Sequence, residues 1–472
     1  MCPQNKGRIR LAFDETIAAI ITPPGEGGIA AVRIAGRRSR ALLEKHFRAA
    51  SRATEASAAV PFLMRYGQFL NPQGCAVDEV MAVFMPEGRS YTGLEQVELY
   101  CHGGREVVRE ILDNLLASGA RAAEPGEFTR LAFLSGRIDL VHAEAVAEII
   151  AANTSASFET AREHLIGAYS ERIEKLRDEL VEIMAQVEAS IDFPEEEIDP
   201  AEGVKLVPSL DSIIVDIREL VDSYRGGRII REGYKIAIAG RPNSGKSSLF
   251  NLMLRQERAL VTETAGTTRD YLSEWVELDG FAVNLVDTAG LRARGGVIEK
   301  AGQKSAMKII DEADLILWMF DICEKSWQKN LEADLKSLKH NLNLLLANKI
   351  DLLKNYSSHL TRLTEKSNLV FPISCLTGRG IKRLKKAIVS HINRSMPDLT
   401  SGVVVTSARH RQKLVSAIAN LRKARSKLKA AESPELTAFD LRQAVSDIDE
   451  ITGRIYTEEI LARIFSKFCV GK

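Results

Sequence analysis

Three patterns in the sequence predict a multidomain protein that combines α+β and α/β folds with long helices. Short strand-like runs broken by glycine turns fill the first part of the chain. Long helical periodicity appears in two separated blocks, and strands alternate with helices between those blocks. The expected boundaries are 1–136 for an α+β domain, 137–232 and 394–472 for the halves of a discontinuous helical domain, and 233–393 for an inserted, doubly wound α/β domain.

In the first part, Thr22-Pro-Pro-Gly-Glu-Gly-Gly28 separates two apolar runs and reads as a loop between strands. Val97, Leu99 and Cys101 alternate with Glu98 and Tyr100 up to Gly103-Gly104, the pattern of a half-buried strand, and a helical pattern covers 105–119. Cys101 and His102 are neighbours on that strand and so face opposite sides, which favours a structural role over a catalytic pair. In the first helical block Ile173, Leu176, Leu180, Ile183, Val187 and Ile191 recur every three or four residues and share one helical face. The acidic stretch Asp-Phe-Pro-Glu-Glu-Glu-Ile-Asp at 192–199 interrupts it, and the period resumes from Ile213 to Val221. Leu414, Ile418, Leu421 and Leu428 repeat the pattern in the last block, so each block can cover the other's apolar face.

Composition narrows the function classes. Lys+Arg numbers 64 and Asp+Glu 63, a net charge of +1, which excludes a strongly basic nucleic-acid coat but leaves room for a local basic patch. No apolar run is long enough for a membrane span, and the N-terminus lacks a signal-peptide core. Cys2, Cys75, Cys101, Cys323, Cys375 and Cys469 form no CxxC and no zinc-finger spacing, which suits a reducing compartment. A cytoplasmic protein without a membrane partner is expected.

The chemistry is written most clearly between 236 and 376. Gly240-x-x-x-x-Gly245-Lys246-Ser247 follows an apolar strand and opens a helix, as a P-loop must. Its glycines let backbone N–H groups turn toward phosphate oxygens, Lys246 reaches the terminal phosphates, and Ser247 can ligate Mg²⁺. Asn243, Ser244 and Ser248 complete the phosphate-binding stretch. Asp287-Thr288-Ala289-Gly290 ends a strand, placing a carboxylate for the metal and a glycine N–H for the γ-phosphate. Asn348-Lys349-Ile350-Asp351 ends another, and the Asp351 carboxylate can accept from both N–H edges of guanine, which adenine lacks. Ser374-Cys375-Leu376 fits the loop that closes over the base. Four motifs in order at workable spacing predict a Ras-like P-loop G domain that binds GTP.

The hydrolytic machinery departs from that pattern. The position where Ras-like proteins carry a water-orienting Gln is Leu291. Of the downstream polar residues Arg292, Arg294 and Glu299, only Glu299 can polarise water as an acceptor. The oxygen-rich switch segment Thr262-Glu263-Thr264-Ala265-Gly266-Thr267-Thr268 offers Thr268 as a second Mg²⁺ ligand. With the Asn243 side chain, carbonyls of that segment can hold a K⁺ beside the β- and γ-phosphates, doing the charge work of an arginine finger.

The full chain resembles the MnmE (TrmE) family of tRNA-modification GTPases, within the TrmE-Era-EngA-like superfamily. The stretches that carry the resemblance are TPPGEGGIAAVRIAG, SYTGLEQVELYCHGG, EPGEFTRLAFLSGRIDLVHAEA, GRPNSGKSS, AGTTRD, DTAGLR and the terminal CVGK. The GTPase motifs are widely shared; the N-terminal blocks and the C-terminal Cys-x-Gly-Lys are specific to this family. The resemblance implies a K⁺-stimulated GTPase that forms a homodimer through its N-terminal domains. With an FAD-dependent partner, MnmG, it would add a carboxymethylaminomethyl or aminomethyl group to carbon five of the wobble uridine of certain tRNAs. A formyl or methylene tetrahydrofolate would supply the one-carbon unit. The family's folate contacts fall on Arg33, Glu98, Arg137 and Lys472, with Arg137 replacing a Lys found in some relatives. K⁺ contacts fall on Asn243, Thr262, Thr264 and Thr267, and the catalytic carboxylate on Glu299. The tail would bring Cys469 to the one-carbon chemistry as nucleophile or acid/base. Cys375 stands where most relatives have Ala.

Two other classes use such a G domain: a switch that binds ribosomal RNA through a basic appendage, and a scaffold held at a membrane surface. The balanced charge and the N-terminal blocks weigh against the first, and the lack of a basic amphipathic anchor against the second.

Overall fold

A computed structural model of the chain describes residues 14–50, 59–192, 205–256, 272–288, 309–337, 342–356, 360, 370–395, 403–430 and 432–472. The chain divides into two compact units, one of Met1–Ala147, His164–Asp178 and Val445–Lys472, the other of Glu148–Glu163 and Glu179–Ala444.

The first unit opens with β1 (Ile17–Ile20), β2 (Gly27–Ala35), α1 (Ser39–His46), β3 (Phe47–Ala49), β4 (Arg65–Leu70), β5 (Ala76–Met85), β6 (Gln96–Gly103), α2 (Arg105–Ala117), β7 (Arg121–Ala122) and α3 (Glu127–Leu134). The strands form one sheet in the order β3-β4-β5-β6-β2-β1-β7. The two-residue period sorts its faces. Ala18, Val32, Ile34, Val97, Leu99 and Cys101 point into a core closed by α1 and α2, through Leu42, Leu43, Val108, Ile111 and Leu115. On the other face Ile17, Ala19 and Ala35 pack on Phe128 and Leu131 of α3. Cys101 is buried while His102 is exposed and bonded to Asp78 at 2.7 Å, so the neighbours do face opposite ways.

Next come α4 (Leu140–Ala151), α5 (Ser155–Leu165), α6 (Ala168–Asp192), α7 (Val207–Glu232), β8 (Tyr234–Gly240), α8 (Lys246–Gln256), β9 (Leu272–Leu278), β10 (Phe281–Asp287), β11 (Leu315–Asp321), α9 (Trp327–Ser337) and β12 (Leu342–Asn348). The chain closes with β13 (Val370–Pro372), α10 (Ile381–Ser395), α11 (Ala408–Lys429), α12 (Pro434–Thr452) and α13 (Glu458–Phe465). The periodic residues Ile173, Leu176, Leu180, Ile183 and Val187 are all buried along α6.

In the second unit the sheet order is β13-β12-β11-β8-β10-β9. All pairings are parallel except the β9–β10 edge. Each strand of the parallel part is therefore near-continuously apolar, as a sheet covered on both faces requires. The α/β domain is an insertion. Helix α7 feeds β8 through Gly233, whose positive φ of 73° makes the corner. The chain then returns beside the same helix: Val405 N–H donates to Ser223 Oγ at 3.0 Å, and Gly227 lies against the Val405 carbonyl with no room for a Cβ. At that junction Arg228 pairs with Asp314, and Tyr234 Oη lies 2.7 Å from His391 Nδ1. The architecture is thus an N-terminal α+β domain, a discontinuous helical domain and an inserted Ras-like G domain.

Candidate functional site

The parallel strands β8, β10, β12 and β13 release their loops at one edge of the sheet, the edge where open α/β folds bind ligands. The loop after β8 is the phosphate cradle. Gly240 (φ 140°) lies against the Met319 carbonyl and Gly245 (φ 101°) against the Asn348 side chain, so neither tolerates a Cβ. Asn243 adopts a left-handed φ of 60°, which Asn bears better than most residues. Ser244 Oγ is buried with no hydrogen-bond partner among the described residues, and Lys246 is 7% exposed with its ammonium donating to the Arg241 carbonyl at 2.8 Å. A buried cation turned onto its own loop and an orphaned hydroxyl fit a nucleotide phosphate.

Ser247 Oγ donates to Asp287 Oδ2 at 2.7 Å, so the hydroxyl and carboxylate expected to share Mg²⁺ already meet. This donor set suits a hard cation. Thr288 bonds back to the Ile238 carbonyl through both its amide (3.3 Å) and its hydroxyl (2.9 Å), tying the Asp287 loop to β8.

Asn348 links three segments. Its Nδ2 donates to the Ser244 carbonyl at 2.8 Å, and its Oδ1 accepts from the Cys375 N–H at 3.2 Å. The phosphate loop and the base-closing loop are thereby fixed to β12. Asp351 is exposed in the short 3₁₀ turn Ile350–Leu352, Ser374 is fully buried and caps its turn through Thr377 N–H, and Leu376 is 85% exposed. Burial pushes the Cys375 thiol up to about 11, so it stays protonated and packs as a small apolar group. Glu263, Ala265, Gly266, Thr262, Thr264, Thr267 and Thr268 of the switch segment, together with Ala289, Gly290, Leu291 and Glu299, lie outside the described residues.

Two ion pairs at this site escaped the sequence reading. Arg241, inside the P-loop, makes a two-pronged bridge to Asp334 of α9, with Nη2–Oδ1 at 2.8 Å and Nε–Oδ2 at 3.0 Å. Lys349 reaches Asp321 at 2.6 Å, and Asp321 also accepts from the Cys323 N–H. Asp321 ends β11 much as Asp287 ends β10, which was a usable signal; nothing local pointed Arg241 at Asp334.

The first unit holds a second polar constellation. Arg33 and Glu98 face each other across β2 and β6 and pair at 3.0 Å, with only 13% and 11% of their side chains exposed. Glu98 also accepts from Gln96 Nε2 (3.1 Å) and Tyr100 Oη (2.6 Å), and the Arg33 guanidinium lies 5.4 Å from the ring centres of both Tyr91 and Phe128. Burial and the Glu98 hydrogen bond push the Tyr100 phenol up to about 12, so it remains a donor. Gln96, Tyr91, Tyr100 and Phe128 were not singled out from sequence, although Gln96 and Tyr100 share the Glu98 face by strand alternation. Arg137 is exposed and donates to the Gly88 carbonyl at 3.2 Å, steadying the turn beside Tyr91.

The C-terminal tail ends against this constellation. Phe465 and Phe468 are buried with Phe133, Leu140 and Leu461. The Cys469 carbonyl accepts from Gly126 N–H at 3.4 Å and the Lys472 carbonyl from Phe128 N–H at 3.1 Å. The Cys469 side chain is exposed. Gly471 has φ 99°, and a Cβ there would meet the Ile20 carbonyl at 2.5 Å, so the penultimate glycine is what lets the tail lie down on β1. Gly471→Ala should weaken tail docking by about 1–2 kcal/mol, the cost of a left-handed residue. Hydrogen exchange at the Phe128 amide should then run about tenfold faster; unchanged exchange would mean the tail is held elsewhere.

The description "GTP-binding protein TrmE N-terminus" matches residues 16–137 and "MnmE helical domain" matches 140–469. The tRNA modification GTPase MnmE of Natranaerobius thermophilus is 40% identical over 461 residues, covering 97% of this chain and all of that one. Its counterpart in Carboxydothermus hydrogenoformans is 39% identical over 465 residues, covering 98% of this chain and 100% of that one, and the one in Aquifex aeolicus is 37% identical over 459, covering 97% and 100%. No described helix is long and apolar enough to cross a membrane. With a glycine-turned loop after β8 tied by Asn348 to β12 and full-length similarity of this order, the chain belongs to the MnmE family of tRNA modification GTPases.

Proposed function

We propose that the protein is a K⁺-stimulated GTPase which, with an FAD-dependent MnmG partner, adds a carboxymethylaminomethyl or aminomethyl group to carbon five of the wobble uridine of certain tRNAs. It would work in the cytoplasm as a homodimer joined through residues 1–136. Residues 137–232 and 394–472 would transmit motion from the G domain, 233–393. The observation that carries this reading beyond GTP hydrolysis is the buried Arg33–Glu98 pair with the Lys472 backbone docked beside it, on Phe128. A buried ion pair is a poor source of stability, so its place among Tyr91, Phe128, Gln96 and Tyr100 supports a binding role.

In the N-terminal domain, Arg33, Glu98, Arg137 and Lys472 hold a formyl or methylene tetrahydrofolate, which supplies the one-carbon unit when bound. Glu98 accepts hydrogen bonds from its ligand, kept in place by Gln96 and Tyr100, while Arg33 and Lys472 supply positive charge. Cys469, exposed on the tail, is the nucleophile or proton-transfer group. In the G domain, Lys246 neutralises terminal phosphate charge. Ser247, Thr268 and the Asp287 carboxylate hold Mg²⁺, and Asn243, Thr262, Thr264 and Thr267 hold K⁺. Asp351 selects guanine, and Glu299 orients water in place of the Gln that Leu291 replaces.

Calorimetric titration with 5-formyltetrahydrofolate and GTP hydrolysis in KCl against NaCl test the two halves. Saturable folate binding that Glu98→Gln removes, with faster turnover in KCl, is the expected outcome. Wild-type protein that binds no folate and hydrolyses equally in both salts would refute the reading. Glu299→Ala should lower kcat by about a hundredfold or more while leaving GTP affinity nearly intact. A comparable loss of affinity would instead make Glu299 structural.

A further inference from the structure

The balanced charge of the chain hides a local asymmetry. Helix α11 carries eight Lys and Arg residues and no Asp or Glu over its 22 residues, in a protein of net charge +1. Its apolar side, with Leu414, Ala417, Leu421, Ala424 and Leu428 buried, packs inward. Two of the basic residues are spent on neighbours: Arg425 pairs with Asp211 of α7, and Lys427 with Asp440 of α12 at 2.7 Å.

Four others lack such a partner. Arg411, Arg422, Lys423 and Lys429 are exposed on the side opposite the buried stripe. Among the described residues none of the four has a carboxylate partner: Arg411 lies over the Tyr224 ring, Lys423 reaches only Asn420 Oδ1 at 3.5 Å, and Arg422 and Lys429 make no ion pair. Between them the other exposed positions are Gln412, Val415, Ala419 and Ser426, none of which carries charge. At 1.5 Å per residue the stripe from Arg411 to Lys429 runs about 27 Å. Arg411, Arg422 and Lys429 line up on one side of the helix with Lys423 beside them, and uncharged side chains between them leave a cationic face that suits a polyanion laid along the helix.

We propose that this face of α11 docks the phosphate backbone of tRNA. The proposal rests on the tRNA-modifying role of the family and adds to it a surface. Because the contacts are to phosphates, they position the tRNA without choosing its sequence.

The test is the salt dependence of tRNA binding to the full-length protein, read by fluorescence anisotropy with labelled bulk tRNA. Arg422→Gln/Lys429→Gln is compared with Lys382→Gln/Lys386→Gln, an equal charge loss on the exposed side of α10, which also has no acidic residue. Melting temperatures check that both fold. The α11 variant should bind about tenfold more weakly at low salt, and the slope of log affinity against log salt should fall by about two, one per lost contact, while the α10 variant follows wild type. Equal losses in both variants would reduce the effect to net charge and overturn the surface. Wild-type affinity and slope in the α11 variant would overturn it as well, leaving the tRNA-modifying role intact. Absence of any salt-dependent binding by the wild type also overturns it, and nucleoside analysis of cellular tRNA then judges the role separately.

Discussion

Lys246→Ala is expected to abolish useful GTP turnover, with kcat/KM falling by about a hundredfold or more, the scale of losing one preorganised charge from a phosphoryl site. The size follows from the surroundings. The ammonium is nearly buried and held within its own loop by the Arg241 carbonyl, so it is positioned before phosphate arrives. Its substitution leaves that carbonyl with only the longer Ser244 N–H contact at 3.4 Å. The glycine turns that shape the cradle remain, because Gly240 and Gly245 are fixed by Met319 and Asn348 rather than by Lys246. The variant should therefore fold and melt near wild type while losing both affinity and turnover. Single-turnover hydrolysis with a fluorescent-nucleotide titration measures the two together. Near-normal turnover would mean that the phosphates sit elsewhere.

The N-terminal domain should respond strongly to Arg33→Met. Breaking one side of a buried ion pair costs about 3–5 kcal/mol, because the remaining charge stays desolvated. Glu98 keeps the donors Gln96 and Tyr100, so about 3 kcal/mol, the lower end, is expected. Arg33→Met/Glu98→Gln should recover much of that loss, since a neutral amide costs less to bury than an unpaired carboxylate. Urea unfolding of the four proteins in the cycle measures the coupling. Additive losses would contradict it and would mean that Glu98 is solvated in the native state. Folate binding should be lost in both variants whether or not stability returns, which separates the binding role from the structural one.

Much of this architecture was legible because local and global signals agree. The apolar period of α6 survives as a buried face from Ile173 to Val187. The P-loop is readable because only a strand, a glycine turn and a helix in that order can present backbone N–H groups to phosphate. The pairing of Arg33 with Glu98 was not derivable from spacing: the partners are 65 residues apart and meet only through the β2–β6 register. The tail shows the same limit. Its penultimate glycine belongs to the terminal Cys-x-Gly-Lys, but the physical reason for a glycine there appears only when the Ile20 carbonyl is found where a Cβ would lie. The even charge of the whole chain likewise conceals α11, because acidic residues elsewhere in the sequence offset its eight cations in the sum.

Nucleoside mass spectrometry of tRNA tests the central claim most directly. Cells lacking this protein would carry a plasmid encoding the wild type, Lys246→Ala or Cys469→Ser. The account predicts that the modified wobble uridine disappears on deletion, returns with the wild type, and fails to return with either variant. An unchanged nucleoside profile in the deletion strain would contradict it.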